Sequence, residues 1–275
     1  MVKKNGELRS SSRTKTGLWE TGQAYLRAPW QAGPDVVIKK REEARNIYDT
    51  IQHSQTLKIY TYGSEYQGHV GSTAVVPDLN TFFTAHLGTE SISTVYAAEL
   101  KGMQMALAMV KRVVQAGANR WKERAARGIH IFSNSQAGFK ALINPWIVSG
   151  QVFLKACPEL KGWCSEAGFH VVFHWIPAHY GIDGNKKADK LAKAAAVRGP
   201  IPDEAKQMVR LRAAAKRVVR KRLKKVWVQA WKKKKTSRPT KHLTQAPGQA
   251  CRSCGTGRDC EKQPPQSSYR CALGV

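Results

Sequence analysis

The sequence predicts a mixed α/β domain over residues 57–197, and three observations carry that prediction. Three β-rich runs stand close together, Leu57 to Thr61, His69 to Val76 and Thr81 to His86, with the turn-like Glu65-Tyr66-Gln67-Gly68 between the first two. Their short spacing reads as an antiparallel meander. A long helical pattern follows, and beyond it strand and helix signals alternate. Three strands, a helix, a strand, helices, a strand and a helix make a mixed α/β order.

Each element has its own signal. A short helical pattern, Arg41 to Ile51, precedes the meander. The helix after the meander is capped by Ser93 or Thr94 and presents Ala97, Leu100, Met103, Met105 and Leu107 as apolar positions, running to about Gly117. Ile129 to Ser133 is a short strand and Gln136 to Ile143 a short helix. Gln151 to Ala167 has a helical pattern in which Pro158 marks a boundary or kink. His170 to Ile176 is the last strand, and Asp183 to Val197 the last helix of the unit.

Composition and charge narrow the functional classes. The 275 residues are 42% hydrophobic, which supports a real core and excludes wholesale disorder. The formal charge of +27 and pI near 10.1 point to a polyanion, nucleic acid first and an anionic membrane surface second. Residues 198–241 carry 17 Lys/Arg against 2 Asp/Glu, so a sixth of the chain holds +15 of the total charge. The chain therefore divides into a partly disordered lead-in (1–56), the α/β domain (57–197), a basic helical segment (198–241) and a flexible cysteine-containing tail (242–275). The start, MVKKNGELRSSS, has no apolar stretch of a secretory signal, and no run of about 18 apolar residues offers a membrane span. The expectation is an intracellular protein, with thiols rather than a disulfide framework.

Four segments carry a resemblance to a known family. IYTYGS (59–64), STVYAAELKGMQMAL (93–107), IFSNSQAGFKAL (131–142) and WIPAHYGIDGNKKADKLAK (175–193) occur in this order. They resemble the signature blocks of ribonuclease H domains, particularly those that end fungal non-LTR retrotransposon reverse transcriptases. The resemblance covers about half the chain and implies a five-stranded mixed sheet in the order 3-2-1-4-5, flanked by helices. It also implies hydrolysis of RNA in RNA–DNA hybrids by two Mg²⁺ or Mn²⁺ ions, held by four convergent carboxylates.

Carried over position by position, the helix acid is Glu99, the last-helix acid Asp189 and the loop histidine His179. The first-strand Asp is replaced by Tyr62 and the fourth-strand Asp by Asn134. Lys186 stands where an acid often follows the Gly-Asn pair and would bring positive charge beside the cation site. Tyr62 is neutral at pH 7, and Asn134 offers a carbonyl oxygen without charge. The implied metal ligands reduce to Glu99 and Asp189, so metal binding and cleavage are expected to be impaired. Gly63, Ser64 and Asn185 lie in blocks that flank the nucleic-acid cleft in relatives. Read without the family pattern, Glu99 is a solvated helix residue, Asp189 a partner for Lys186 or Lys193 at helical spacing, and His179 a loop residue. The rival to the enzyme reading is a catalytically inactive nucleic-acid-binding module, or a retroelement remnant.

From Asp203 a basic helical pattern runs through to Lys235, with Leu211, Ala215, Val218, Val219, Leu223, Val226, Trp227, Ala230 and Trp231 as an apolar stripe. Three readings stay open: a solvated helix packing its stripe on the domain, a phosphate-backbone binder through Lys221, Arg222, Lys224 and Lys225, or a membrane-surface helix. Nuclear import through the Lys221–Lys225 or Lys232–Lys235 clusters is compatible with each. In the tail, Cys251, Cys254, Cys260 and Cys271 do not have the spacing of a standard zinc knuckle or finger, so Zn²⁺ is not expected there.

Overall fold

The computed structural model describes residues 18–20, 33–145, 149–178 and 181–233. It divides into two units, Met1–Val218 and Val219–Val275. In chain order the first unit holds β1 (Leu18–Trp19), β2 (Asp35–Val37), α1 (Arg41–Gln52), β3 (Leu57–Tyr66), β4 (His69–Val76) and β5 (Thr81–Thr89), the last two joined by a 3-10 turn at Pro77–Leu79. There follow α2 (Val95–Gln115), α3 (Asn119–Ala126), β6 (Ile129–Ser133), α4 (Gln136–Ile143), α5 (Gln151–Glu166), β7 (Val171–Trp175), α6 (Asp183–Arg198), α7 (Pro202–Gln207), β8 (Val209–Arg210) and the start of α8 (Arg212–Lys233).

The central sheet has six strands in the order β2-β7-β6-β3-β4-β5. β3, β4 and β5 form the expected antiparallel meander, while β6 lies parallel to β3 and β7 parallel to β6. Five of these strands reproduce the expected 3-2-1-4-5 order. The sixth, β2, is a correction: Asp35 to Val37 pairs in parallel with Val172 to His174 at the open edge of β7. Three residues carry too short a pattern to announce a strand; the unpaired edge of β7 supplies the partner.

Alternation along the strands divides the core between the two sheet faces. Leu57 and Ile59 of β3, Ile129 and Ile131 of β6 and Val171 and Phe173 of β7 pack with Leu100, Met103, Leu107 and Val110 of α2 and Leu154 of α5. On the other face Tyr48 of α1, Tyr60, Phe132, Ile176 and Ala188 of α6 form a second cluster. There Phe132 stacks on Tyr60 at 5.2 Å and meets Tyr48 edge-on at 5.3 Å, and the two tyrosine hydroxyls are 3.1 Å apart. Aromatic pairs of this kind contribute about 0.5–1.5 kcal/mol beyond their area burial.

Three further expectations change. α3 was not read from the sequence; its Trp121 and Ala125 are buried in the core. α5 runs through Pro158 without ending there, because Leu154, Cys157 and Cys164 anchor it on both sides of the missing N–H. The helix expected to run on from Asp203 is interrupted at Met208. There β8 pairs in parallel with β1, the Leu211 N–H bonds to the Ile92 carbonyl at 2.8 Å, and Leu211 is fully buried, so tertiary contacts override helix propensity. Of the expected lead-in, residues 1–17 and 21–32 lie outside the described residues, as does the cysteine tail.

Candidate functional site

Small residues set the distances at this site. Gly63 on β3 faces the backbone of α2 so closely that a Cβ there would lie 2.5 Å from the Glu99 nitrogen. Across the sheet, Gly71 of β4 lets α6 approach until a Cβ would lie 2.2 Å from the Ala192 carbonyl oxygen, and α6 turns Ala188, Ala192, Ala195 and Ala196 inward. Glu99 from α2 and Asp189 from α6 thereby reach Tyr62 on β3, whose hydroxyl feels both carboxylates.

Thr94 caps α2 by accepting from the Ala97 N–H at 3.2 Å, which fixes the register of Glu99 one turn later. Glu99 is buried at 7% exposure, so it is not the solvated helix residue that its sequence surroundings alone suggest. Burial pushes its carboxyl up to about 8, against the opposing help of the Gly63 N–H and of the Ser133 hydroxyl, which donates to Oε2 at 3.4 Å. Burial likewise raises Tyr62 above its ordinary range, and the Asp189 and Glu99 charges add to that; the Asn134 amide N–H and Lys193 oppose it.

Asn134 follows the end of β6. Its backbone carbonyl accepts from Trp175 Nε1 at 3.1 Å, which holds the residue in place, and its Oδ1 is buried without a hydrogen-bond partner among the described residues. Asn185 Oδ1, on α6, is in the same condition. Asp189 is bound by Lys193 Nζ at 2.7 Å, one helical turn on. Lys186 pairs instead with Asp183 at 3.0 Å, so its charge is directed to the start of α6 rather than to Asp189. Gly63 and Ser64 are both buried. His179 lies outside the described residues.

The site thus brings together Tyr62, Glu99, Asn134 and Asp189, four positions separated by up to 127 residues in sequence. Ser133 and Trp175 support it and were not singled out from the sequence. Their signal was adjacency alone, Ser133 preceding Asn134 and Trp175 opening the last block. Lys193 was legible as an i+4 partner.

The donors do not fit a pair of divalent cations. Mg²⁺ takes hard, charged oxygens in an octahedral shell. Here one carboxyl has its charge suppressed by burial, the other already neutralises a lysine, and the remaining two positions are an uncharged amide and a phenol. Among the described residues no group of three or more His, Cys, Asp or Glu is placed to hold a metal ion.

A meander running into parallel strands, with helices on both faces and a site assembled from β3, α2, β6 and α6, defines a ribonuclease H-type domain. The RNase H family model matches residues 54–197, just over half of the chain, and the chain belongs to that family. Solved structures similar to it include LC11-RNase H1 in complex with an RNA/DNA hybrid, at 19% identity and a TM-score of 0.38 over 52% of this chain and 98% of that one. The N-terminal RNase H domain of a Mycobacterium tuberculosis protein, fused to maltose-binding protein, gives 20% identity and a TM-score of 0.35 over 52% and 96%. RNase H1 from the halophilic archaeon Halobacterium salinarum gives 18% and 0.35 over 52% and 99%. No curated protein matches the chain.

Proposed function

We propose that this chain is a nucleic-acid-binding ribonuclease H domain of retrotransposon origin in which metal-dependent cleavage of RNA in RNA–DNA hybrids is weakened or lost. The observation that carries this reading is the pair of neutral side chains, Tyr62 and Asn134, standing beside Glu99 and Asp189 where the chemistry needs charge. Two Mg²⁺ ions bring +4, and such a site has little negative charge to set against it.

Binding makes lighter demands. An A-like hybrid is met through its backbone and 2′-hydroxyls rather than its base sequence. Asn185 on α6 and Gly63 and Ser64 on β3 lie in the blocks that flank the nucleic-acid cleft in relatives, and in this reading they form its lining. Lys221, Arg222, Lys224 and Lys225 neutralise phosphates. Four such contacts give a slope of log K against log salt of about −3, since each phosphate contributes roughly −0.7 to −0.9.

The test is binding and cutting of one labelled RNA–DNA hybrid, across a salt series and with Mg²⁺ or Mn²⁺. Salt-sensitive binding with little or no cutting is the expected result. Efficient cutting that disappears on Glu99→Ala would overturn the reading, because two acids would then suffice. Lack of hybrid binding at low salt would remove its other half.

A further inference from the structure

We infer that the exposed apolar stripe on the second half of α8 is a docking surface for an anionic lipid bilayer. From Val219 onward, apolar residues recur at Val219, Leu223, Val226, Trp227, Ala230 and Trp231, the spacing that lines one side of a helix. Val219, Leu223, Val226 and Trp227 are 56%, 62%, 57% and 50% exposed. The two indoles meet edge-on with centroids 6.4 Å apart and so form one aromatic patch at the end of the stripe. Contiguous apolar surface of this kind marks an interaction site.

Charge decides between occupants. Arg212 to Lys233 contains 10 Lys/Arg and no Asp or Glu. A second copy of the helix would cover the stripe but set ten cations against ten, with no acid in either helix to relieve them. Nucleic-acid phosphates would take the cations and leave Val219, Leu223 and Val226 in water. The surface of an anionic bilayer satisfies both parts at once. Aliphatic and indole groups enter the boundary between headgroups and acyl chains, and the flanking lysines and arginines remain on the headgroups. Arg220, within the arc of the stripe, has a stem long enough to carry its guanidinium out to the headgroups. The helix lies on the surface and does not cross it: no helix among the described residues is long and apolar enough to span a membrane. The apolar stripe plays no part in the hybrid-binding reading, but Lys221, Arg222, Lys224 and Lys225 serve both, so hybrid and bilayer would compete for them.

The full chain would be sedimented with vesicles of phosphatidylcholine alone, or with about one-third phosphatidylserine. Pelleting with the anionic vesicles only is expected, together with a blue shift of indole emission that Trp227→Phe diminishes. A variant with Leu223→Ser and Val226→Ser keeps every charge and should lower the partition coefficient by about tenfold or more. Because both residues are exposed, its domain unfolding and its hybrid affinity should match those of the parent chain. The proposal fails if anionic vesicles do not pellet the chain. It also fails if the Ser variant pellets equally well without change in emission, since charge alone would then account for binding. Loss of hybrid affinity in the Ser variant, without vesicle binding by the parent, would assign the stripe to nucleic acid and overturn the proposal.

Discussion

Replacing Gly63 by Ala asks β3 and α2 to make room that their packing does not contain. The new Cβ would lie 2.5 Å from the Glu99 nitrogen, 2.8 Å from the Ala98 carbonyl carbon and 2.9 Å from Ala98 Cβ, where ordinary contact begins at 3.4 Å. The obstructing atoms are mostly helix backbone, so no side-chain rotation relieves them, and α2 or the strand must shift by about 1 Å. α2 is itself held in the core by Leu100, Met103 and Leu107, all fully buried. Overpacking of a tight core costs roughly 1–3 kcal/mol, and a backbone clash belongs at the upper end, about 3 kcal/mol. Urea unfolding followed by circular dichroism should show a lower midpoint with an unchanged slope, and a Tm lower by roughly 6–12 °C. Gly162→Ala in α5 is the control. Nothing lies within 4 Å of its added Cβ, so the same substitution there should leave stability unchanged or raise it by up to about 1 kcal/mol. If Gly63→Ala unfolds within about 0.5 kcal/mol of the parent chain, the close approach that places Glu99 beside the strand is wrong.

Two pH dependences follow from buried groups. Burial raises the Glu99 carboxyl from 4.5 to about 8, so the folded chain holds a proton that the unfolded chain releases, and stability falls as pH rises between those values. Glu99→Gln removes that penalty: it should stabilise by up to about 4–5 kcal/mol near pH 8.5, at about 1.4 kcal/mol per unit, and by under about 1 kcal/mol near pH 5, and an equal effect at both would refute the assignment. His130 and His174, hydrogen-bonded at 2.9 Å, run the opposite way. Burial holds both at about 4, below the ordinary 6.5, so the unfolded chain takes up protons first and stability is lost as pH falls from 6.5 toward 4. Urea midpoints of the parent chain and of a His130→Phe, His174→Phe variant should diverge across that interval, the variant losing less; parallel profiles would contradict the burial of the pair.

The meander, the long helix and the last strand and helix were legible because each carries a sustained period that one buried face enforces. β2 was not, since a three-residue edge strand is specified by its neighbour rather than by its own pattern. The break at Met208 was hidden for a similar reason. Residues 203–233 read locally as helix, and only Leu211 entering the core and β8 meeting β1 interrupt them. At the site, residue identities put Tyr62 and Asn134 where the family resemblance implies carboxylates, but did not reveal the surroundings of Glu99 and Asp189. The sequence alone offered Glu99 as a solvated residue, whereas Gly63 and the alanines of α6 close the space around it. The lysine expected near the cation site, Lys186, is drawn to Asp183, while Lys193 takes Asp189.

In the proposed function, metal-dependent cleavage is weakened or lost because Tyr62 and Asn134 bring no charge to Glu99 and Asp189. It is tested most directly by Tyr62→Asp with Asn134→Asp, measured against the parent chain on the same RNA–DNA hybrid in Mg²⁺ and in Mn²⁺. The double variant should cut at least about a hundredfold faster than the parent, as expected when a charge-holding metal site is restored. Equal rates, with both proteins folded and binding the hybrid, would contradict it.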